Sequence, residues 1–155
     1  MQPSHCLEPH LVKISILLVS PHQKDHTDLS RVLHHADWKI IRASDLGEAT
    51  LIVQENLPSV ILCERNLPDG NWKDLLDQAS QHKNPAMVLV ISAHADNGLW
   101  AEVLNLGGYD VLMKPFDVSE VTRVVRMAWQ RWRGRTLKKE ARSATAFEEW
   151  AAAHA

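Results

Sequence analysis

The chain has 155 residues, of which 45% are hydrophobic and 23% are charged, and its formal charge is −2. This length suffices for one domain with a single core, and the charge gives no general preference for nucleic acid or an acidic membrane. Cys6 and Cys63 do not suggest a disulfide framework or a zinc site, and no apolar run is long enough for a membrane span or a signal peptide, so we expect a cytosolic protein.

The N-terminal part of the sequence predicts an irregular tail over residues 1–12, followed by alternating strands and helices. The apolar run Lys13–Val19 has the length of a strand that is buried on both faces. Helical spacing follows over Asp25–Ala36, and Trp38–Ala43 is predicted to be a second strand. Asp45 then starts a capping-box pattern, which indicates a second helix.

The stretch VILCERNLPDGN, residues 60–71, is the most informative part of the sequence. Val60–Cys63 predicts a short buried strand, and the LPDG sequence after it predicts a turn. Glu64 therefore stands at the carboxyl end of a strand. In an open α/β sheet this edge is where functional sites are built, so Glu64 is the first candidate site residue.

The same alternation continues to the C-terminus. Strands are predicted over Ala86–Ser92 and Asp110–Met113, helices lie between and after them, and residues 134–155 predict a sixth helix. Strands joined by helix-sized connections pair in parallel, so the sequence predicts a three-layer, doubly wound α/β fold. The sixth helix is poor in large apolar residues, and packing on the domain, pairing with another protomer and fraying all stay open.

Four segments now occur in a characteristic order: the apolar first strand, ILCERNLPDG, VLVISA and GGYDVLMKPFD. With them the chain resembles the receiver domain of two-component response regulators over residues 13–133. The resemblance implies a flavodoxin-like strand order of 2-1-3-4-5 and a role in phosphorelay signal transduction. Residues 134–155 then form a C-terminal helical extension of that domain.

The resemblance also assigns the residues of a phosphorylation pocket. In that family an acidic pair holds magnesium, an aspartate accepts the phosphoryl group, and a serine or threonine and a lysine complete the pocket. Ser92 and Lys114 match the last two positions, and the resemblance implies a cis bond between Lys114 and the next residue, a proline. The acidic pair is replaced by Ser20 and Pro21, and the acceptor is replaced by Glu64.

These replacements predict a pocket without metal, cofactor or phosphotransfer. Magnesium needs several oxygen ligands, whereas Ser20 offers only a hydroxyl and Pro21 offers no side-chain ligand. The Glu64 carboxylate stands about one methylene away from where an aspartate would attack in line. A charge-assisted contact of Glu64 with Lys114 would imitate part of the phosphorylated state. Whether Glu64 is only a structural partner or supports constitutive signalling stays open.

Other candidate residues near the pocket have simpler interpretations. We expect Ser92 to satisfy a loop amide, Pro115 to lie in the cis bond, and Cys63 to be an inert core thiol. The nine histidines show no metal-binding spacing, and we assign them no role.

The last predicted helix of the domain is basic and carries several apolar residues. One helix cannot turn all of them inward, so we predict an interface through Val121, Val125, Trp129 and Trp132. An aromatic residue is also missing at Val111, which removes one usual way of coupling the pocket to another face. The interface would bind a signalling protein or a second copy of the chain.

Taken together, these features favour a non-enzymatic, stand-alone receiver domain that signals by protein contact without phosphorylation. A working phospho-acceptor with an unconventional residue is the first alternative. A nucleic-acid-binding protein that uses the basic last helix is the second and less favoured alternative. We expect no contact with a membrane.

Overall fold

The structure, a computed structural model, describes residues 14–34, 38–94 and 96–154. The main sheet has five parallel strands in the order β2-β1-β3-β6-β7, which is 2-1-3-4-5 when only these strands are counted. The expected fold and strand order are therefore confirmed. The strands are β1 (Ile14–Val19), β2 (Trp38–Ala43), β3 (Val60–Glu64), β6 (Met87–Ser92) and β7 (Asp110–Met113).

Five helices cover the two faces of this sheet. They are α1 (Gln23–Val32), α2 (Leu46–Asn56), α3 (Trp72–Ser80), α4 (Asn97–Asn105) and α5 (Val118–Ala153). One apolar cluster packs the sheet against α2, α3 and α4, and a second packs it against α1 and α5. Both faces of the central strands are thus removed from water, which explains why β3 and β6 are apolar at nearly every position.

Side-chain caps fix where several helices begin. Asp45 accepts a hydrogen bond from the amide of Glu48 at 2.8 Å, and Asp117 accepts one from the amide of Glu120 at 2.9 Å. Asn71 and Asp74 form a complete capping box at the start of α3. These contacts satisfy amides that have no partner within the first helical turn.

The predicted LPDG turn is present, and it closes a small hairpin. Asn66–Leu67 (β4) and Gly70–Asn71 (β5) pair as a small antiparallel hairpin. The Asp69 carboxylate between them accepts hydrogen bonds from the amides of Leu46 at 2.7 Å and Gly47 at 3.0 Å. These amide hydrogen bonds lower the pKa of Asp69, and they tie the hairpin to the N-terminus of α2.

The expected separate sixth helix is wrong, because α5 continues without a break from Val118 to Ala153. Gly134 destabilises the helix by about 1 kcal/mol relative to alanine, but it does not interrupt the helix. The Nε1 of Trp132 donates to the carbonyl of Asn84 at 3.4 Å, and Arg135 donates to the carbonyl of Pro85 at 2.6 Å. Contacts with the segment before β6 thus stabilise α5 beyond residue 133, where the predicted domain ends.

Other boundaries shift by small amounts. Helix α1 begins at Gln23, two residues before the predicted start, and ends at Val32. The predicted N-terminal tail, Lys13, and the predicted helical positions 35–36 lie outside the described residues. Within the described part of the chain, none of the helices combines the length and the apolarity that crossing a membrane requires.

Candidate functional site

The predicted site residues meet at the carboxyl edge of the main sheet. Ser20 follows β1, Glu64 ends β3, Ser92 ends β6, and Lys114 follows β7. Parallel strands end at the same edge, so four residues that are far apart in the sequence come together. Ser20, Glu64 and Ser92 are all buried.

Lys114 is the centre of this pocket. Its Nζ lies 2.7 Å from Glu64 Oε1 and also 2.7 Å from Asp25 Oδ2. The other oxygen of Glu64 accepts a hydrogen bond from the amide of Arg65 at 2.9 Å. The predicted contact between Glu64 and Lys114 is confirmed, and both oxygens of Glu64 have a donor.

Asp25 is the site residue that the sequence analysis missed. It lies in the first turn of α1 and is 5% exposed. The hydroxyl of Ser20 donates to Asp25 Oδ2 at 2.6 Å and accepts from the amide of His22 at 3.1 Å. Ser20 therefore positions a carboxylate instead of replacing one. The sequence does contain a signal for Asp25, an acidic residue in the first turn of the helix after β1. That turn lies over the carboxyl edge of the sheet, where the other site residues meet.

Two histidines also lie at this pocket, contrary to the expectation that the histidines have no role. His22 Nε2 is 3.7 Å from Glu64 Oε1, and His26 Nε2 is 2.8 Å from the carbonyl oxygen of Ser20. His22 is exposed, whereas His26 is buried and its Nδ1 has no hydrogen-bond partner among the described residues. His26 thus helps to hold the loop that carries Ser20.

The remaining predicted pocket residues have structural contacts. Ser92 Oγ accepts a hydrogen bond from the amide of His94 at 3.1 Å, so its predicted role in satisfying a loop amide is confirmed. The predicted cis bond between Lys114 and Pro115 is present. Pro21 is exposed and adds no polar side-chain atom to the pocket.

Two pKa shifts describe the electrostatics of this edge. Burial disfavours the ammonium of Lys114, but its hydrogen bonds to Asp25 and Glu64 and their negative charges outweigh burial, so its pKa is raised above the ordinary value. The pKa of the Cys63 thiol is raised strongly by burial and further by the charge of Glu64. Cys63 is therefore protonated at neutral pH, as expected of an inert core thiol.

The residues at this edge do not fit a magnesium ion. His22, Asp25 and Glu64 each present one ligand atom, and these atoms lie within 4.8 Å of one another. The ammonium of Lys114 already lies 2.7 Å from both carboxylates and neutralises part of their charge. Magnesium also requires near-octahedral oxygen ligands and does not favour imidazole.

The predicted interface on α5 is wrong for two of its four residues. Val121 and Val125 are fully buried in the core cluster between α5 and the sheet, so they cannot contact a partner. Trp129 and Trp132 are half-buried and pack against the same cluster, and their use in an interface stays a prediction. The apolar side chains that α5 does expose in this region are Val118 and Met127.

Comparison with known proteins agrees with this architecture. The family model described as "Response regulator receiver domain" matches residues 16–126. The transcriptional regulatory protein DegU of Brevibacillus brevis is 28% identical over 76% of this chain and 51% of its own length. The transcriptional regulatory protein DpiA of Escherichia coli K12 is 27% identical over 70% of this chain and 50% of its own length. The chain thus spans about half the length of these curated relatives.

Among solved structures, a CheY-like response regulator receiver domain protein from Methanospirillum hungatei is similar in fold. Its TM-score is 0.71 and its sequence identity is 18%, and the match covers 80% of this chain and 98% of that one.

Proposed function

Because the chain belongs to the response regulator receiver domain family of two-component signalling proteins, we propose that it is an atypical member that is not phosphorylated. It would signal through protein contacts and catalyse no reaction of its own. The observation that carries this proposal is the position of Lys114, whose ammonium lies 2.7 Å from the carboxylates of both Asp25 and Glu64.

Phosphoryl transfer to this pocket would meet two obstacles. An acceptor carboxylate needs a free oxygen in line with the phosphorus atom, and the two oxygens of Glu64 are held by Lys114 and by the amide of Arg65. The charge of the incoming group also needs a cation to neutralise it. The positive charge of Lys114 is already shared by two carboxylates, which leaves the pocket with a net negative charge.

The same contacts support a single, permanent signalling state. Glu64 is 9% exposed and its negative charge is fixed at the end of β3, where a phosphoryl group would otherwise introduce one. We propose that this arrangement replaces the switch with a constitutive surface. The cost of disrupting a partly buried ion network would keep the domain in this state.

For the contact itself, we propose that a second copy of the chain pairs with the exposed end of α5. Every residue from Leu137 to Trp150 is exposed, including three large apolar side chains, Leu137, Phe147 and Trp150. An isolated helix of this length, about 21 Å, is only marginally stable in water, so a partner would stabilise it.

The sequence of this segment suits antiparallel pairing. Such a pair centred on Ala144 would place Phe147 of one copy beside the small side chain of Ala141 of the other. Large-to-small packing favours this register.

The phosphorylation part of the proposal is tested with acetyl phosphate and magnesium, followed by intact mass measurement. We expect no phosphoryl adduct on the wild type, and none on Glu64→Asp, because that variant restores the shorter side chain but not the missing acidic pair. A stable adduct on the wild type would support the alternative of an unconventional phospho-acceptor.

The contact part is tested by light scattering on the full chain and on a variant that ends at Thr136. We expect a dimer for the full chain and a monomer for the shorter one. Phe147→Ala should weaken the dimer, whereas Ser143→Ala serves as a control. Two monomers would contradict pairing through α5, and salt-sensitive binding of random DNA by the full chain would instead favour the nucleic-acid alternative.

A further inference from the structure

A cavity of about 560 Å³ lies at the opposite, amino-terminal edge of the sheet. It is formed where the end of α3, the start of β6, the segment between α4 and β7, and the middle of α5 meet. Its volume falls within the range of about 300 to 1,000 Å³ that is typical of small-molecule sites. The phosphorylation pocket of the family has no part in it, because that pocket lies at the carboxyl edge.

Two arginines of α5 line this cavity. Arg131 and Arg135 are four residues apart on the helix, so their side chains are neighbours. Neither guanidinium lies within salt-bridge distance of a carboxylate among the described residues. Burial, and then the positive charge of Arg131, lower the pKa of Arg135. The cavity thus contains a pair of like charges, and neither of them forms a salt bridge with a described residue.

The Arg135 guanidinium makes two contacts within the fold and still has one nitrogen without a partner. Its Nη2 donates to the carbonyl oxygen of Pro85 at 2.6 Å and lies 3.3 Å from the sulfur of Met87. Its Nε is buried and has no hydrogen-bond partner within the described part of the chain. A buried donor without a partner is unfavourable, and an acceptor from a ligand would satisfy it.

Leucine side chains that are largely exposed line the rest of the cavity. Leu104 and Leu106 are 53% and 51% exposed, and Leu76 is half-buried on the opposite wall. Asp77 and Tyr109 add an acceptor and a hydroxyl between these walls. The combination of apolar walls with a few polar groups is the usual composition of a binding site for a small organic molecule.

From this geometry we infer that the cavity binds a small phosphorylated metabolite of about the size of a nucleoside monophosphate. A phosphate monoester carries a charge of about −1.5 to −2, which balances two guanidiniums better than a single carboxylate would. The apolar walls would contact the base, and Asp77 would accept a hydrogen bond from a sugar hydroxyl or a ring amino group. This inference is independent of the proposed function at the other edge.

Calorimetric titration of the full chain tests the inference with four probes: adenosine monophosphate, guanosine monophosphate, adenosine and inorganic phosphate. We expect saturable binding of at least one monophosphate, and binding at least about ten-fold weaker for adenosine and for phosphate alone. Equal binding of phosphate alone would show that only an anion is recognised and would overturn the inference. The absence of saturable binding by both monophosphates would also overturn it.

Variants on α5 locate the binding. Arg131→Gln should weaken monophosphate binding by about ten-fold or more, because one of the two charge-assisted contacts is lost. Arg135→Lys keeps the charge but removes the planar donor set, and it should weaken binding as well. Lys139→Gln is the matched control, since it removes one charge from the same helix outside the cavity, and it should change affinity by less than about two-fold. Equal losses in Arg131→Gln and Lys139→Gln would indicate general electrostatics and overturn the inference.

Discussion

The two edges of the sheet differ in whether their charged side chains are paired. At the carboxyl edge, one ammonium lies between two carboxylates, and a hydroxyl and a backbone amide donate to those carboxylates. At the amino edge, Arg131 and Arg135 lie side by side and no carboxylate pairs with them among the described residues. The ammonium and the carboxylates of the carboxyl edge are paired with one another, whereas Arg135 Nε at the amino edge has no partner among the described residues.

This difference separates a structural network from a candidate binding site. Burying a charge is costly unless hydrogen bonds and opposite charges surround it, so a satisfied network stabilises one conformation and has little left to offer a ligand. Unpaired donors at the wall of a cavity have the opposite property, because a ligand can supply what the fold does not. Unfolding measurements on single variants distinguish these two properties.

Removing the cation at the carboxyl edge should have the largest effect. Lys114→Met leaves Asp25 and Glu64 close together without a counter-charge. We expect the free energy of unfolding to fall by about 3 kcal/mol, the low end for a broken buried pair, because 18% of the Lys114 side chain is exposed. Urea unfolding at pH 7 measures it.

The matched control is Lys24→Met, which breaks the exposed pair of Lys24 with Asp28 on α1. This pair joins residues four apart and is worth at most about 0.5 kcal/mol. Similar losses for the two variants would mean that the Lys114 network contributes no more than a surface ion pair.

Neutralising one carboxylate of the network should cost less. Glu64→Gln keeps an oxygen that can accept from Lys114, and Asp25 still supplies a full charge. We expect a loss of about 1 to 2 kcal/mol in the free energy of unfolding, measured by the same urea titration. A loss greater than that of Lys114→Met would contradict the central position of Lys114.

The sequence predicts the main sheet and half of this network for clear physical reasons. Strands buried on both faces are continuous apolar runs, and Glu64 and Lys114 directly follow two of them, so their positions depend only on where each strand ends. Asp25 was missed because it lies on a helix. Apolar spacing does not show which polar side chain of a helix faces a pocket, and α1 begins at Gln23 instead of Asp25, which places Asp25 in its first turn.

Features that depend on packing between distant elements could not be predicted. The apolar periodicity of α5 indicates that some side chains must face water, but it does not fix the rotation of the helix about its axis. The structure turns Val121 and Val125 inward and leaves Val118 and Met127 outside. The cavity beside Arg131 and Arg135 could not be predicted either, because four segments that are separate in the sequence form it.

Alkaline pH should reveal the raised pKa of Lys114 as a smaller effect. Because this pKa is higher in the folded than in the unfolded chain, the stabilisation is complete below the unfolded value of about 10.4 and is lost as pH rises through the folded value. The difference in unfolding free energy between the wild type and Lys114→Met should therefore be constant from pH 7 to about pH 10 and narrow above it.

This difference is the informative quantity, because the wild type alone also loses stability through Cys63. The raised pKa of that thiol means that alkaline pH favours the unfolded chain, in which the thiol ionises. Cys63 is present in both proteins, so its contribution cancels in the comparison. A difference that stays constant to pH 11.5 (about one unit above the unfolded pKa) would contradict the raised pKa of Lys114.

The amino edge should give the smallest effect, and one of opposite sign. Arg131→Gln removes one of two like charges that are four residues apart, so we expect the free energy of unfolding to rise by about 0.2 to 0.5 kcal/mol at low salt. The gain should fade at about 1 M salt, where charges at the surface are screened. A double-mutant cycle with Arg135→Met isolates the repulsion, because the gain should vanish once the second guanidinium is absent. If Arg131→Gln were instead destabilising in both backgrounds, Arg131 would have a partner within the fold, and the contrast between the two edges would not hold.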